Sequence, residues 1–300
     1  MTEPTTSADI PRSDETLLPS GDATLCAQAF GTPSHPPILL VAGAAASMDW
    51  WEDELCERLA AGGRYVVRYD NRDTGRSTSY PPGAPGYSGT DLVTDALAVL
   101  DGFGITAAHV AGVSMGGGIA QHLAVLHPQR VAGLTLMSTT PDGPHGPDAP
   151  ELPPMEPRIS AAFTDDAPEP DWSDRAAAVE HLVQSERPFA GSVPYDDDRA
   201  RTIAGRMYDR TTDIVACQTN HWILEGGEPV RHRLAEITAP TLVMHGTDDP
   251  LLPFPHGEAL AREIPGARLV ALPGVGHQMP PQQLWDLVVD AVLNHTAPPR

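Results

Sequence analysis

Residues 109–118, HVAGVSMGGG, join an apolar run to a Gly-rich start of a helical pattern, and they place Gly112-Val113-Ser114-Met115-Gly116 at the junction. A serine at the tip of so tight a strand-to-helix turn has a strained backbone, and only small residues on either side let strand and helix approach each other while its hydroxyl projects. The helix-start amides lie beside that hydroxyl, where they can stabilise an oxyanion. Gly116-Gly117-Gly118 has neither the GxGxxG register nor the downstream acid of a dinucleotide site, and the chain contains no Walker pattern.

Outward from this junction the chain alternates. Upstream come TLLPSGDATLCAQAFG, an entry hairpin with a Gly-Asp turn; PPILLVAG, a doubly buried strand; MDWWEDELCERLAAGG, a helix; RYVVRYD, a strand; and TDLVTDALAVLDGFG, a helix. Downstream, MGGGIAQHLAVLHP reads as a helix stopped by Pro128 and RVAGLTLMST as a strand. Such βαβα alternation predicts an α/β fold, a mostly parallel sheet of about eight strands with helices on both faces. From Pro141 the rhythm stops. Residues 141–157 are rich in Pro and Gly, and the stretch to about 235 shows helical patterns and no convincing strand, which predicts a helical cap over residues 142–235. Strand and helix resume with APTLVMHG, PHGEALAREI, ARLVALPG and QQLWDLVVDAVLNHT. The expected organisation is a flexible tail over 1–15, a core formed by 16–141 and 236–300, and the cap between its halves.

A serine hydroxyl becomes a good nucleophile only when a positioned base takes its proton and a carboxylate orients that base. His245-Gly246-Thr247-Asp248-Asp249-Pro250 follows one expected strand, and Gly274-Val275-Gly276-His277 follows the next. Ser, then Asp, then His, each just past a strand, is the order of one particular hydrolase architecture. The chain resembles the α/β-hydrolase superfamily, and within it the aclacinomycin methylesterase group, from about residue 17 onward: in PILLVAGAAAS, VVRYDNRDTGRST, GVSMG, DPLLP and GVGH. The resemblance implies Ser114, His277 and Asp249 as catalytic residues, with Asp249 rather than Asp248 as the acid because it heads the Asp-Pro-Leu-Leu-Pro run. It also implies an oxyanion hole from the amides of Ala44 and Met115. Ala42-Gly43-Ala44 departs from the His-Gly pair of many relatives and lacks the side chain that often supports that hole.

The implied reaction is hydrolysis of a carboxylic ester through an acyl-enzyme, on an ester or lactone of a bulky polyketide-type natural product, with no cofactor and no metal. The same triad also serves carbon–carbon bond hydrolases and cofactor-free haloperoxidase-like perhydrolases, and a non-catalytic binding protein could keep the fold. Dehalogenases and epoxide hydrolases place Asp where this chain has Ser114.

Other residues read as structural. His245 follows buried strand positions and reads as packing; His109, His122, His127 and His256 read as surface or capping residues. Asp70, Arg72, Asp73 and Arg76 form a charged loop that holds itself together, and Trp50 and Trp51 are candidates equally for pocket and core. Forty acidic against nineteen basic residues give a formal charge of −21, which repels nucleic acid and anionic lipid. The partner expected is a small-molecule ester. No run of eighteen apolar residues suits a membrane span, Cys26, Cys56 and Cys217 form no metal or disulfide pattern, and the first fifteen residues lack a secretory signal. Cytoplasm is the expected compartment.

Overall fold

A computed structural model describes residues 10–144, 151–164 and 169–297. Eight strands form one sheet: β1 (Thr16–Ser20), β2 (Ala23–Phe30), β3 (Pro37–Val41), β4 (Tyr65–Tyr69), β5 (Ala108–Val113), β6 (Val131–Met137), β7 (Thr241–Gly246) and β8 (Arg268–Leu272). Their spatial order is β1-β2-β4-β3-β5-β6-β7-β8. The entry hairpin pairs antiparallel, β2 pairs antiparallel with β4, and every other pairing is parallel.

Successive side chains of a strand point to opposite faces, and both faces of this sheet are covered. Ile38 and Leu40 pack with Leu55 and Leu59 of α1 (Asp53–Ala61) and with Trp285 and Val288 of α9 (Trp285–His295). Leu39 and Val41 face the other way, toward Leu92 and Val99 of α2 (Gly89–Gly102), Leu123 of α3 (Met115–Leu126) and Leu260 of α8 (Pro255–Glu263). This two-sided burial explains why the strands read as continuous apolar runs.

Between β6 and β7 lie α4 (Pro157–Thr164), α5 (Arg175–Glu186), α6 (Asp197–Arg210) and α7 (Ile214–Thr219), with no strand among the described residues. Val179, Leu182 and Val183 of α5 pack on Ala204 and Met207 of α6 and on Ile214 and Cys217 of α7, a small apolar core separate from those of the sheet. Between α6 and α7 the helix is interrupted at Thr211–Asp213, where Asp213 caps the following helix by accepting from Val215 and Ala216 amides. The 141–157 linker lies partly outside the described residues, and 151–156 has no regular structure.

Charge docks the inserted helices on the sheet domain. Arg199 donates to Glu52 at 2.8 Å, Arg206 to Asp53 at 3.0 Å, and Arg210 to Asp49 at 2.6 Å and Asp70 at 2.7 Å. Asp70 and Asp49 are fully buried, so Arg210 is their counter-charge in a place water does not reach.

Three expectations need correction. Of the tail expected over 1–15, residues 1–9 lie outside the described residues, and the rest is tied down: Arg12 bridges to Phe30, Ser13 bonds Ala29, and Glu15 pairs with Arg76 and Arg210. His109, His122 and His256 are buried rather than superficial. Each carries a hydrogen-bond partner, Thr135, Asp142 and Thr140 respectively, so the imidazoles are accommodated at polar sites inside the fold. His127 does cap α3. Finally, Asp70, Arg72 and Asp73 do more than hold their own loop, since they reach Arg210, Asp95 and Asn220.

Removing this cation leaves the buried Asp70 carboxylate without an ion pair and Asp49 with only the longer contact to Arg206 at 3.6 Å, so Arg210→Met should lower stability by about 3–5 kcal/mol. Urea unfolding beside the exposed control Arg233→Met measures it. A loss no greater than the control's would mean that Arg210 is dispensable for docking.

Candidate active site

Ser114 sits between β5 and α3 with φ 52° and ψ −119°, a backbone conformation that non-glycine residues rarely adopt. Its neighbours explain how the turn is built. A Cβ on Gly112 would stand 2.1 Å from the Gly116 carbonyl oxygen, and one on Gly116 would stand 2.4 Å from the carbonyl oxygen of Val41 in β3. Backbone approaches this close admit glycine alone, and they lift the Ser114 side chain out of the sheet's carboxyl edge.

His277 arrives on the loop after β8. Its Nε2 lies 3.0 Å from Ser114 Oγ and its Nδ1 2.9 Å from Asp249 Oδ2. Asp249, 2% exposed, follows β7, and its second oxygen accepts from the amides of Leu251 (3.0 Å) and Leu252 (2.8 Å), which aims the first at the imidazole. Asp248 turns elsewhere, accepting from Thr247 Oγ1 at 2.8 Å and from the Ser192 amide at 3.2 Å. His245 is buried in β7 and spends its Nε2 on the Leu252 carbonyl, which fits the packing reading.

Ala44 and Ser114 share the wall of one cavity, and Met115 is the first residue of α3, where a backbone N–H has no acceptor inside the helix. An anion beside Ser114 could therefore be met by amides from both sides. The loop that follows Ala42-Gly43-Ala44 is held by a residue to which the sequence motifs gave no role. His221, just after α7, accepts the Ala45 N–H at Nδ1 (2.9 Å) and donates from Nε2 to the Arg72 carbonyl (2.9 Å). Ala45 itself has φ 55°, so this bond holds a strained residue next to Ala44. No local pattern could have pointed to His221, since its partner lies 176 positions away.

The cavity holds about 430 Å³ and is walled by Ser114 and His277 on the sheet side and by Phe163, Phe189 and Trp222 from the insertion. Phe189 lies against His277 with ring centroids 6.3 Å apart, and Phe163 bridges Phe189 (6.0 Å) and Trp222 (5.5 Å). Trp50 lines the cavity, whereas Trp51 is core. Among the described residues no group of three or more His, Cys, Asp or Glu side chains is arranged to hold a metal ion, and no helix is long and apolar enough to cross a membrane. Chemically, the arrangement can shuttle a proton between a hydroxyl and a bound group while amides receive negative charge.

Comparison with known proteins places the chain in a family. The model of the alpha/beta hydrolase fold family matches residues 36–280. The chain belongs to this family. It is 36% identical over 277 residues to the rhodomycin D methylesterase DauP of Streptomyces sp. (strain C5), a match covering 88% of this chain and 92% of that one. The rhodomycin D methylesterase DnrP of Streptomyces peucetius is 35% identical with the same coverage. Among solved structures, the 2-hydroxy-6-oxo-6-phenylhexa-2,4-dienoate hydrolase of Rhodococcus sp. strain RHA1 superposes with a TM-score of 0.73 at 22% identity, covering 95% of this chain and 99% of that one. At that identity the likeness shows the fold, and the chain is an α/β hydrolase homologous to the two rhodomycin D methylesterases.

His221 is held neutral by burial, which lowers its pKa, against weaker raising effects of the Arg72 carbonyl and Asp73. A histidine whose folded pKa is depressed stabilises the fold above its unfolded pKa, about 6.5, and that contribution is lost as pH falls below it. His221→Phe leaves the Ala45 amide without its acceptor and should cost about 1–3 kcal/mol at pH 8. The gap to the parent should narrow as pH drops from 7 toward 5. Denaturation curves across that range check it; a pH-independent gap would contradict the neutral-acceptor role.

Proposed function

We propose that this protein is a serine carboxylic ester hydrolase working through Ser114, His277 and Asp249. The observation that carries the reading is the chain of two hydrogen bonds, 3.0 Å from Ser114 Oγ to His277 Nε2 and 2.9 Å from His277 Nδ1 to Asp249. Ser114 Oγ attacks the ester carbonyl carbon and loses its proton to His277 Nε2. The oxyanion that forms is met by the amides of Ala44 and Met115. As the carbon–oxygen bond breaks, His277 gives the proton to the departing alcohol, leaving an acyl group on Ser114. Water then enters, His277 takes its proton, and the same sequence runs in reverse to release the acid. Asp249 holds the imidazole in the tautomer whose Nε2 accepts, and stabilises the imidazolium.

For the substrate we propose an ester or lactone of a bulky polyketide-type natural product. The identity with the two rhodomycin D methylesterases across 88% of the chain supports it, as does an aromatic-walled cavity of about 430 Å³, within the size range of small-molecule sites. On this reading residues 142–235 form a cap over a core of 16–141 and 236–300, and Phe163, Phe189 and Trp222 supply flat apolar surface for a fused-ring substrate.

Ser114→Ala should remain folded and lose ester turnover by several orders of magnitude, keeping a residue on the order of 10³- to 10⁴-fold above water from oxyanion binding. Labelling with a fluorophosphonate and turnover of activated aryl esters measure it, and full activity in this variant would end the reading.

The acid is tested separately. Asp249→Asn should cut turnover by roughly 10⁴-fold through the wrong imidazole tautomer, whereas Asp248→Asn should stay within about threefold of the parent. Steady-state rates on one ester compare them; an inactive Asp248 variant beside an active Asp249 variant reverses the assignment.

A further inference from the structure

Glu186, the last residue of α5, lines the cavity that contains Ser114 and His277, and it is the one acidic residue among the described residues of that wall. It also lines a smaller apolar recess of about 110 Å³ that shares Ala45, Trp50, Ser185, Glu186 and Gln218 with the first, so its carboxyl stands at the junction of the two. Within the described residues the Glu186 side chain has no hydrogen bond and no ion pair. The other charged groups of the recess are already engaged: Arg199 is paired with Glu52, and Asp196 caps α6 through the Arg199 amide. The side chain keeps partial exposure, yet burial pushes its carboxyl up to about 7, with charge on His277 pulling weakly the other way. A carboxyl with that history lacks a counter-charge, and a desolvated acid without one is normally avoided in a folded protein.

The surrounding walls supply what an organic cation prefers. Trp50, Phe163, Phe189 and Trp222 line the same cavity, Phe163 and Trp222 at its exposed side, and aromatic rings attract ammonium groups. The formal charge of −21 draws cations toward the protein as a whole.

We propose that Glu186 is a specificity-determining residue that receives an ammonium group carried by the substrate, seated between the carboxylate and the aromatic walls while the ester lies at Ser114. This rests on the ester-hydrolase reading for what happens at Ser114, but not for the binding of the cation.

Two measurements keep these apart. The first compares kcat/KM for benzoylcholine with that for 3,3-dimethylbutyl benzoate, its uncharged isostere, in the parent and in Glu186→Gln. The parent should favour the cation by about tenfold, and the ratio should fall to near one in the variant. The second follows binding of benzyltrimethylammonium, which carries no ester, by tryptophan fluorescence in Ser114→Ala, with and without Glu186→Gln. Binding should weaken about tenfold when the carboxylate is removed. A ratio of one or less in the parent, or a preference and an ammonium affinity unchanged in Glu186→Gln, overturns the proposal. If the parent neither hydrolyses either ester nor takes a fluorophosphonate label at Ser114, the hydrolase reading fails; in either case the ammonium titration alone decides for or against Glu186.

Discussion

The close approach of three backbones at Ser114 is the constraint from which the rest of the site follows. β3, β5 and the start of α3 meet with no room for a side chain at Gly112 or Gly116, and Ser114 takes up the turn with φ 52°. A non-glycine residue held there costs of order 1–3 kcal/mol, which persists only because the surrounding sheet and helix over-determine the turn. Once the turn exists, the hydroxyl stands above the sheet edge, Met115 offers a free helix-start amide, and the end of the neighbouring β3 delivers Gly43 and Ala44 to the same place. The parallel order β5-β6-β7-β8 then brings the loops after β7 and β8 to that edge, carrying Asp249 and His277.

The core was legible because its signals are local and periodic. Doubly buried strands, Gly-punctuated turns and helix patterns each occupy a dozen residues, and the eight-stranded sheet follows from their sequence. The Ser, Asp and His positions were legible for the same reason, each being a short motif at the end of a strand. The preference for Asp249 over Asp248 came from resemblance, and its geometric basis, two amides fixing one oxygen so that the other faces the imidazole, is a property of the folded turn alone. What stayed hidden was long-range. His221 supports Ala45 from a distant segment, Glu186 is an unremarkable helix-terminal acid until the cavity closes round it, and His109 looked superficial because a strand buried on both faces has no alternation to betray a buried polar residue.

Charge adds a second organising layer. Arg199, Arg206 and Arg210 lie seven and four residues apart, on one face of α6, and they meet acids drawn from two separate stretches of the sheet domain, Asp49 to Asp53 and Asp70. In so acidic a chain this concentrates scarce cations where two parts of the fold must stay in register, and leaves excess negative charge at the surface.

The insertion also holds the candidate site directly. The Phe189 carbonyl accepts the His277 N–H at 2.8 Å, and Gly191 and Gly276 pack so tightly that a Cβ on Gly276 would stand 2.1 Å from the Phe189 oxygen. His221 meanwhile reaches down to Ala45. The segment that walls the cavity is thus also a scaffold for the His277 loop and for the loop beside Ala44. Grafting a foreign insertion onto this core, a common route to new substrate range, would disturb both unless Gly274–His277 and Ala44–Ser47 travelled with it as one unit. Divergence of substrate range in such a protein is easier by exchanging side chains on the cavity wall than by exchanging the segment that bears them.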